Sequence, residues 1–128
     1  MSKSPITTHV LDTANGVAAE GVRTTLHVCN SIDGLSDSWT ELGSGQVQST
    51  DKDGRCTQLM LQTNGTYHTL VPGVYRLTFA TKDYFASKGS KCFFPSAQVI
   101  FEISNPPQNH YHIPLLLSNF SYSTYRGT

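Results

Sequence analysis

Alternation is the feature that most limits what this chain can become. Apolar and polar residues trade places every second position, in short runs that a turn signal soon closes. Ile6, Thr8 and Val10 alternate with Thr7, His9 and Leu11. Val22, Thr24, Leu26 and Val28 alternate with Arg23, Thr25, His27 and Cys29. A period of two sends successive side chains to opposite faces of a strand, so each run reads as a strand with one buried face. Between the runs stand Asn15-Gly16, Asp51-Lys52-Asp53-Gly54, Asn64-Gly65 and Pro72-Gly73. These residues tolerate or preset the backbone angles of tight turns.

Read along its length, the chain is mostly strand. Residues 12–21 form a turn-rich connection and 30–38 a polar loop. Trp39-Thr40-Glu41-Leu42 begins a third strand, broken by Gly43-Ser44-Gly45 before Gln46-Val47-Gln48-Ser49. Further strands are expected over 56–61, 74–80, 98–103, 110–117 and 122–126. Thr81 is placed as the cap of the one short helix, which Gly89 stops. Pro106-Pro107 makes a stiff entry into the run from His110. Seven to eight short strands with turns between them predict an all-β fold with one short helix, built as a two-sheet β-sandwich.

Composition narrows the function. The 128 residues are expected to form one domain, 1–128. Nine basic residues balance nine acidic ones, so no broad field attracts nucleic acid or anionic lipid. No run approaches the roughly 18 apolar residues of a membrane-spanning helix. Cys29, Cys56 and Cys92 are odd in number and widely spaced, which fits reduced thiols rather than a disulfide framework or a zinc ribbon. With no apolar signal core after Met1, the expected location is cytoplasmic. The ending Arg126-Gly127-Thr128 lacks the simple peroxisomal tripeptide, although the peroxisome remains the alternative.

Four groups of residues suit chemistry. His110 and His112 stand at i and i+2, so one strand face carries both imidazoles. His9 lies on a strand otherwise made of Thr and aliphatic residues. If that strand and the His112 strand share a face, two imidazoles meet, one as base and one as donor or acceptor. Arg55 follows the Asp53-Gly54 turn, which projects a fixed guanidinium suited to a carbonyl-rich or anionic ligand. It also disfavours protonation of nearby imidazoles. Tyr125, Arg126, Gly127 and Thr128 end an aromatic-rich segment unlike an ordinary frayed tail. A tetrahedral zinc site from His9, His110 and His112 is the metal alternative. The lack of an adjoining carboxylate weighs against it. His27 and His68 are taken as structural or surface residues. Phosphate loops, nucleotide-binding glycine turns and serine nucleophile elbows are all missing from the sequence.

Three segments carry a family resemblance: Thr8-His9-Val10-Leu11-Asp12-Thr13-Ala14 with Gly16, then Asp53-Gly54-Arg55, then residues 110–128. In them the chain resembles the transthyretin-related 5-hydroxyisourate hydrolase family, and the likeness extends over essentially its whole length. The resemblance implies a transthyretin-like sandwich assembled as a homotetramer, a dimer of dimers, with sites between dimers. It implies hydrolysis of 5-hydroxyisourate in urate degradation, with no metal and no organic cofactor. It places His9, Arg55 and His112 at catalytic positions and Tyr125, Arg126, Gly127 and Thr128 at substrate-binding ones. The chain has Thr128 where the family usually has Ser, which keeps the hydroxyl. Asn119 and Ser121 stand where the family usually has Pro and Gly. Transthyretin itself is a carrier, so a small-molecule carrier without catalytic activity is the alternative. Such a carrier needs apolar side chains where this chain has His9, Arg55 and His112.

Overall fold

The computed structural model describes residues 4–43 and 48–127. The expected strand over Gln46 and Val47 and the role given to Thr128 lie outside the described residues. The alternating runs become two sheets stacked face to face. The first contains β1 (Ile6–Asp12), β2 (Val17–Ala18), β6 (Arg55–Cys56), β9 (Tyr111–Leu117) and β10 (Tyr122–Thr124). The second contains β3 (Arg23–Cys29), β4 (Trp39–Glu41), β5 (Gln48–Ser49), β7 (Gly73–Phe79) and β8 (Ala97–Ile103). The described residues thus hold ten strands rather than seven or eight, because the broken third strand becomes β4 and β5 and the two-residue β2 is too short to leave a periodic trace.

The alternation decides what fills the space between the sheets. Ile6, Val10, Leu26, Leu77, Phe79, Leu115 and Leu117 are buried there with Val22 and Ile103. Area removed from water at ~25 cal/mol per Å² makes this interior the main stabilising term. In the first sheet β1 runs parallel to β9, with Thr7 opposite His112 and His9 opposite Pro114. Every other ladder is antiparallel, and β6 lies along the opposite side of β1 with His9 facing Arg55. The residues of β1 that point away from the core are therefore Thr7, His9 and Leu11. Those of β9 are His112, Pro114 and Leu116.

Two local expectations change. The helix α1 spans Thr81–Ser87 with Ala80, not Thr81, at its cap. The Thr81 hydroxyl instead donates to the Phe94 carbonyl at 2.8 Å, tying the helix start to the next loop. Gly89 ends the helix as expected, with φ at 71°. The strand expected over 56–61 stops at Cys56. There the chain turns inward, burying Leu59 and Met60, and the Met60 amide donates to the buried Ser4 hydroxyl at 3.1 Å. All three cysteines are free thiols.

Beneath α1 lies a polar knot. Asp12 is buried, although the sequence placed it in the turn after β1. Its carboxylate accepts from the Tyr84 hydroxyl at 2.7 Å and from the Asn15 backbone and side-chain amides at 2.9 and 2.7 Å. Burial pushes the Asp12 carboxyl up, but these donors outweigh it and hold the group below its usual 3.8. The knot locks the helix onto the end of β1 and fixes the strand that carries His9.

Candidate active site

The outer face of the first sheet collects the predicted residues. His9 is half-buried at the middle of β1, between β9 and β6. Its ring lies 6.3 Å from that of His112, centroid to centroid, with planes inclined by 27°. The parallel register makes this possible. Thr7, not His9, is level with His112, so the two imidazoles sit diagonally across adjacent strands. His110 precedes β9 and keeps to the same side, its ring 6.4 Å from His112 and inclined by 18°.

Arg55 is delivered by a stitched turn. The Asp51 carboxylate accepts from the Asp53 and Arg55 amides at 2.9 and 3.0 Å, and its backbone carbonyl accepts from Gly54 at 2.9 Å. Gly54 has φ of 76°, and any Cβ there would run into the Val10 carbonyl. Glycine alone lets the turn close so tightly on β1. The outcome is an exposed guanidinium over the histidine face, with Arg55 directly across the ladder from His9.

Electrostatics follow from that placement. Burial depresses the affinity of His9 for a proton, and the Arg55 guanidinium depresses it further. Asp51 and Asp53 pull the other way without prevailing, so His9 titrates below the ordinary 6.5. At neutral pH it is an uncharged imidazole, able to accept or donate a proton.

The terminal segment closes the patch. The Gly127 amide donates to the His112 carbonyl at 2.8 Å. A Cβ at Gly127 would sit 2.9 Å from His112 Cδ2, so the chain passes in contact with the catalytic candidate. Arg126 turns to the other side. Its guanidinium lies over the Tyr111 ring at 4.6 Å and donates to Gln108 Oε1 at 2.6 Å. Tyr125 is exposed and lines a cavity of about 270 Å³ with Arg126, Thr124 and β8 residues Val99 and Phe101. In this chain, then, His9, Arg55, His112 and Gly127 are brought together, whereas Tyr125 and Arg126 turn toward Tyr111 and β8 at the edge of the sheet.

Thr7 was passed over in the sequence. It is buried, and its hydroxyl lies 2.8 Å from His112 Nδ1 and 3.0 Å from His110 Nε2. The signal was present in the alternation, which puts Thr7 on the same face as His9. Asp51 was also missed as the organiser of the Arg55 turn. His27 and His68 are structural: His27 lies 3.8 Å from Glu41, and His68 Nδ1 is 3.1 Å from Gln62 Nε2. Among the described residues, no three His, Cys, Asp or Glu side chains converge in a way that would hold a metal ion. No helix among them is long and apolar enough to cross a membrane.

Comparison with known proteins extends these observations. The HIUase/Transthyretin family model matches residues 6–127. A 5-hydroxyisourate hydrolase of Mus musculus is 40% identical over 125 residues, covering 98% of this chain and 96% of the relative. The solved structure of Klebsiella pneumoniae 5-hydroxyisourate hydrolase superposes with a TM-score of 0.74 at 31% identity, covering 98% of this chain and 99% of that one. Transthyretin from Sparus aurata superposes with a TM-score of 0.77, also at 31% identity, covering 98% and 97%.

Proposed function

The chain belongs to the HIUase/transthyretin family, and from that premise we propose that it is a 5-hydroxyisourate hydrolase. It opens the ring of 5-hydroxyisourate to give 2-oxo-4-hydroxy-4-carboxy-5-ureidoimidazoline, a step of urate degradation. One observation carries the choice of enzyme over carrier. His9, His112 and Arg55 share one face of the first sheet, where a carrier of apolar ligands would need apolar lining. Fold alone does not distinguish the two, since a hydrolase and a transthyretin superpose on this chain about equally well.

The residues suit the reaction. A water must lose a proton and attack a ring carbonyl, and the oxyanion that develops must be stabilised. His9 and His112 orient and deprotonate the water. Neutral His9 fits that task at pH 7 because burial and Arg55 keep it uncharged. Arg55 grips the ring and stabilises the developing negative charge. Tyr125, Arg126, Gly127 and Thr128 hold the substrate edge. No covalent nucleophile, metal or organic cofactor is required.

The working form in this reading is a homotetramer, a dimer of dimers, with residues 1–128 as a single hydrolase domain. Two features support assembly. Leu11, Val17 and Phe120 are exposed apolar side chains, Leu11 on the histidine face itself, and a second copy laid over this face would cover it. Among the described residues, strands β8 and β10 each pair with one neighbour, and Ile100 on β8 is 60% exposed. Unpaired edges of this kind invite pairing with another chain. The cytoplasm is the proposed location, with the peroxisome as the alternative.

The test adds purified protein to freshly oxidised urate and follows loss of the 5-hydroxyisourate absorbance. Wild type accelerates the decay. His9→Asn, His112→Asn and Arg55→Ala each lower turnover by about 10²-fold or more while the assembly stays intact. EDTA leaves the rate unchanged. Decay at the spontaneous rate with wild-type protein would remove the enzyme reading.

A further inference from the structure

One hydroxyl joins two of the imidazoles. Thr7 Oγ1 stands 2.8 Å from His112 Nδ1 and 3.0 Å from His110 Nε2. A threonine hydroxyl carries a single proton. It donates to one ring nitrogen at most, and its oxygen can accept from either ring or from both. When it links the two rings as donor and acceptor, one of the two nitrogens is an N–H and the other bears a lone pair.

Two arrangements make the hydroxyl a donor to one ring and an acceptor from the other. In the first, His112 Nδ1–H donates to Thr7, and Thr7 donates to His110 Nε2. A neutral His112 then has its lone pair on Nε2. In the second, His110 Nε2–H donates to Thr7, and Thr7 donates to His112 Nδ1. Going from the first to the second breaks the N–H bond at His112 Nδ1 and the O–H bond of Thr7. A new O–H bond forms at Thr7 and a new N–H bond at His110 Nε2. The net change is one proton moved from His112 to His110.

We propose that Thr7 is a positioning and relay residue: it fixes His112 as the general base and passes the proton that His112 gives up to His110. The proposal rests on the hydrolase reading above. As His112 Nε2 takes a proton from the attacking water, its Nδ1 proton leaves through Thr7. His112 thus remains neutral rather than holding the charge itself beside the His9 ring. His110 is the suitable recipient because it is exposed, outside the start of β9. It also lines a cavity of about 410 Å³ with Gln108, Arg126 and Gly127, where water can carry the proton away. Among the described residues, the charged and titratable groups near the relay include His9 on β1, which Arg55, Asp51 and Asp53 influence in turn, and Arg126 on the terminal segment.

Sequence position explains why one residue reaches both rings. Thr7 is level with His112 in the parallel ladder, and His110 lies one turn of the pleat before it. Thr7 is also buried, which excludes water from competing for its bonds.

The experiment compares Thr7→Val, Thr7→Ser, His110→Gln and His112→Asn in the intact oligomer, using 5-hydroxyisourate decay. Thr7→Val keeps the shape and loses the hydroxyl, while His110→Gln keeps hydrogen bonding and cannot take up a proton. Both lower kcat by about 10²-fold with KM within about twofold, the lower end of what a positioned proton-transfer group contributes. Thr7→Ser restores most of kcat. A proton inventory in mixed light and heavy water is bowed for wild type and linear for Thr7→Val and His110→Gln. Nitrogen NMR of wild type shows His112 protonated at Nδ1 at neutral pH. Full kcat in His110→Gln, or a bare Nδ1 on His112, would overturn the relay; His110→Gln decides if Thr7→Val fails to fold. An inactive His112→Asn beside fully active relay variants refutes the relay alone. A fully active His112→Asn refutes the hydrolase site beneath it.

Discussion

Gly127→Ala probes the contact between the terminal segment and the proposed base. Gly127 does not have the positive φ that would make any side chain strained, so the backbone accepts alanine. Space does not. The new Cβ would stand 2.9 Å from His112 Cδ2, 3.2 Å from the His112 carbonyl oxygen and 3.4 Å from Pro114 Cδ. Carbon atoms prefer ~3.5–4.0 Å, so the ring or the segment must give by about 0.5–1 Å. The ring is held by Thr7 at 2.8 Å and the segment by the Gly127 amide at 2.8 Å and by Arg126 over Tyr111. Relief by either route stretches one of those bonds and shifts His112 against His9 or against the substrate edge. A misplacement of about 1 Å costs on the order of 10²-fold in rate. We therefore expect kcat on freshly formed 5-hydroxyisourate to fall by ~10–100-fold. Thermal stability should change little, because the contact lies outside the main core. Wild-type turnover in a folded Gly127→Ala protein would refute the idea that this segment fixes the base.

Two further outcomes follow from the electrostatics. Arg55→Ala should lower kcat/KM by about 10²–10³-fold, as loss of an oxyanion donor does. In its residual activity the acid limb of the pH profile should move upward, because Arg55 lowers the pKa of His9 and the Asp51 and Asp53 charges that raise it remain. An acid limb that stays put, measured as kcat/KM from pH 5 to 8, would separate Arg55 from His9. Tyr84→Phe removes a hydrogen bond to a buried carboxylate, worth about 1.5–3 kcal/mol, and should lower Tm by roughly 6–12 °C for a chain of this size. Asp12 titrates below 3.8 in the folded protein, so its share of stability is present above 3.8 and is lost as pH falls through the depressed value. The Tm gap between wild type and Tyr84→Phe should accordingly narrow in that acid range, and a gap independent of pH would contradict the assignment.

The strands were legible wherever they were long enough for alternation to repeat. β1, β3, β7, β8 and β9 each span seven residues, and β1, β3 and β7 are visible as a period of two. β2 has two residues, and two residues have no period; β5 and β6, equally short, sit at the ends of longer runs that read as strands. Residues 58–61 looked like a strand continuation because Leu59 and Met60 are apolar. Their burial comes from the Ser4 hydroxyl and the turn it stabilises, an interaction 56 residues away in sequence. Thr81 carried a capping signal that the Phe94 carbonyl outcompeted. Asp12 looked like a turn residue for the same reason that it is useful when buried: its short carboxylate accepts from nearby amides.

For the site, the chain itself determined which side chains are available and which way they face. Alternation puts His9 and Thr7 opposite Ile6, Thr8 and Val10, and it puts His112 opposite Tyr111 and Ile113, because a buried face permits no slip of one residue. The Asp53-Gly54 turn likewise foretold a projecting Arg55. Only the tertiary structure decided that β1 and β9 are parallel neighbours in a register that levels Thr7 with His112, and that Arg55 faces His9. Pairing of that kind joins residues far apart in the chain, 105 positions for Thr7 and His112, and no local preference encodes it. It is set by which arrangement buries the apolar faces of both sheets at once, and the hydroxyl between two imidazoles is a consequence of that packing.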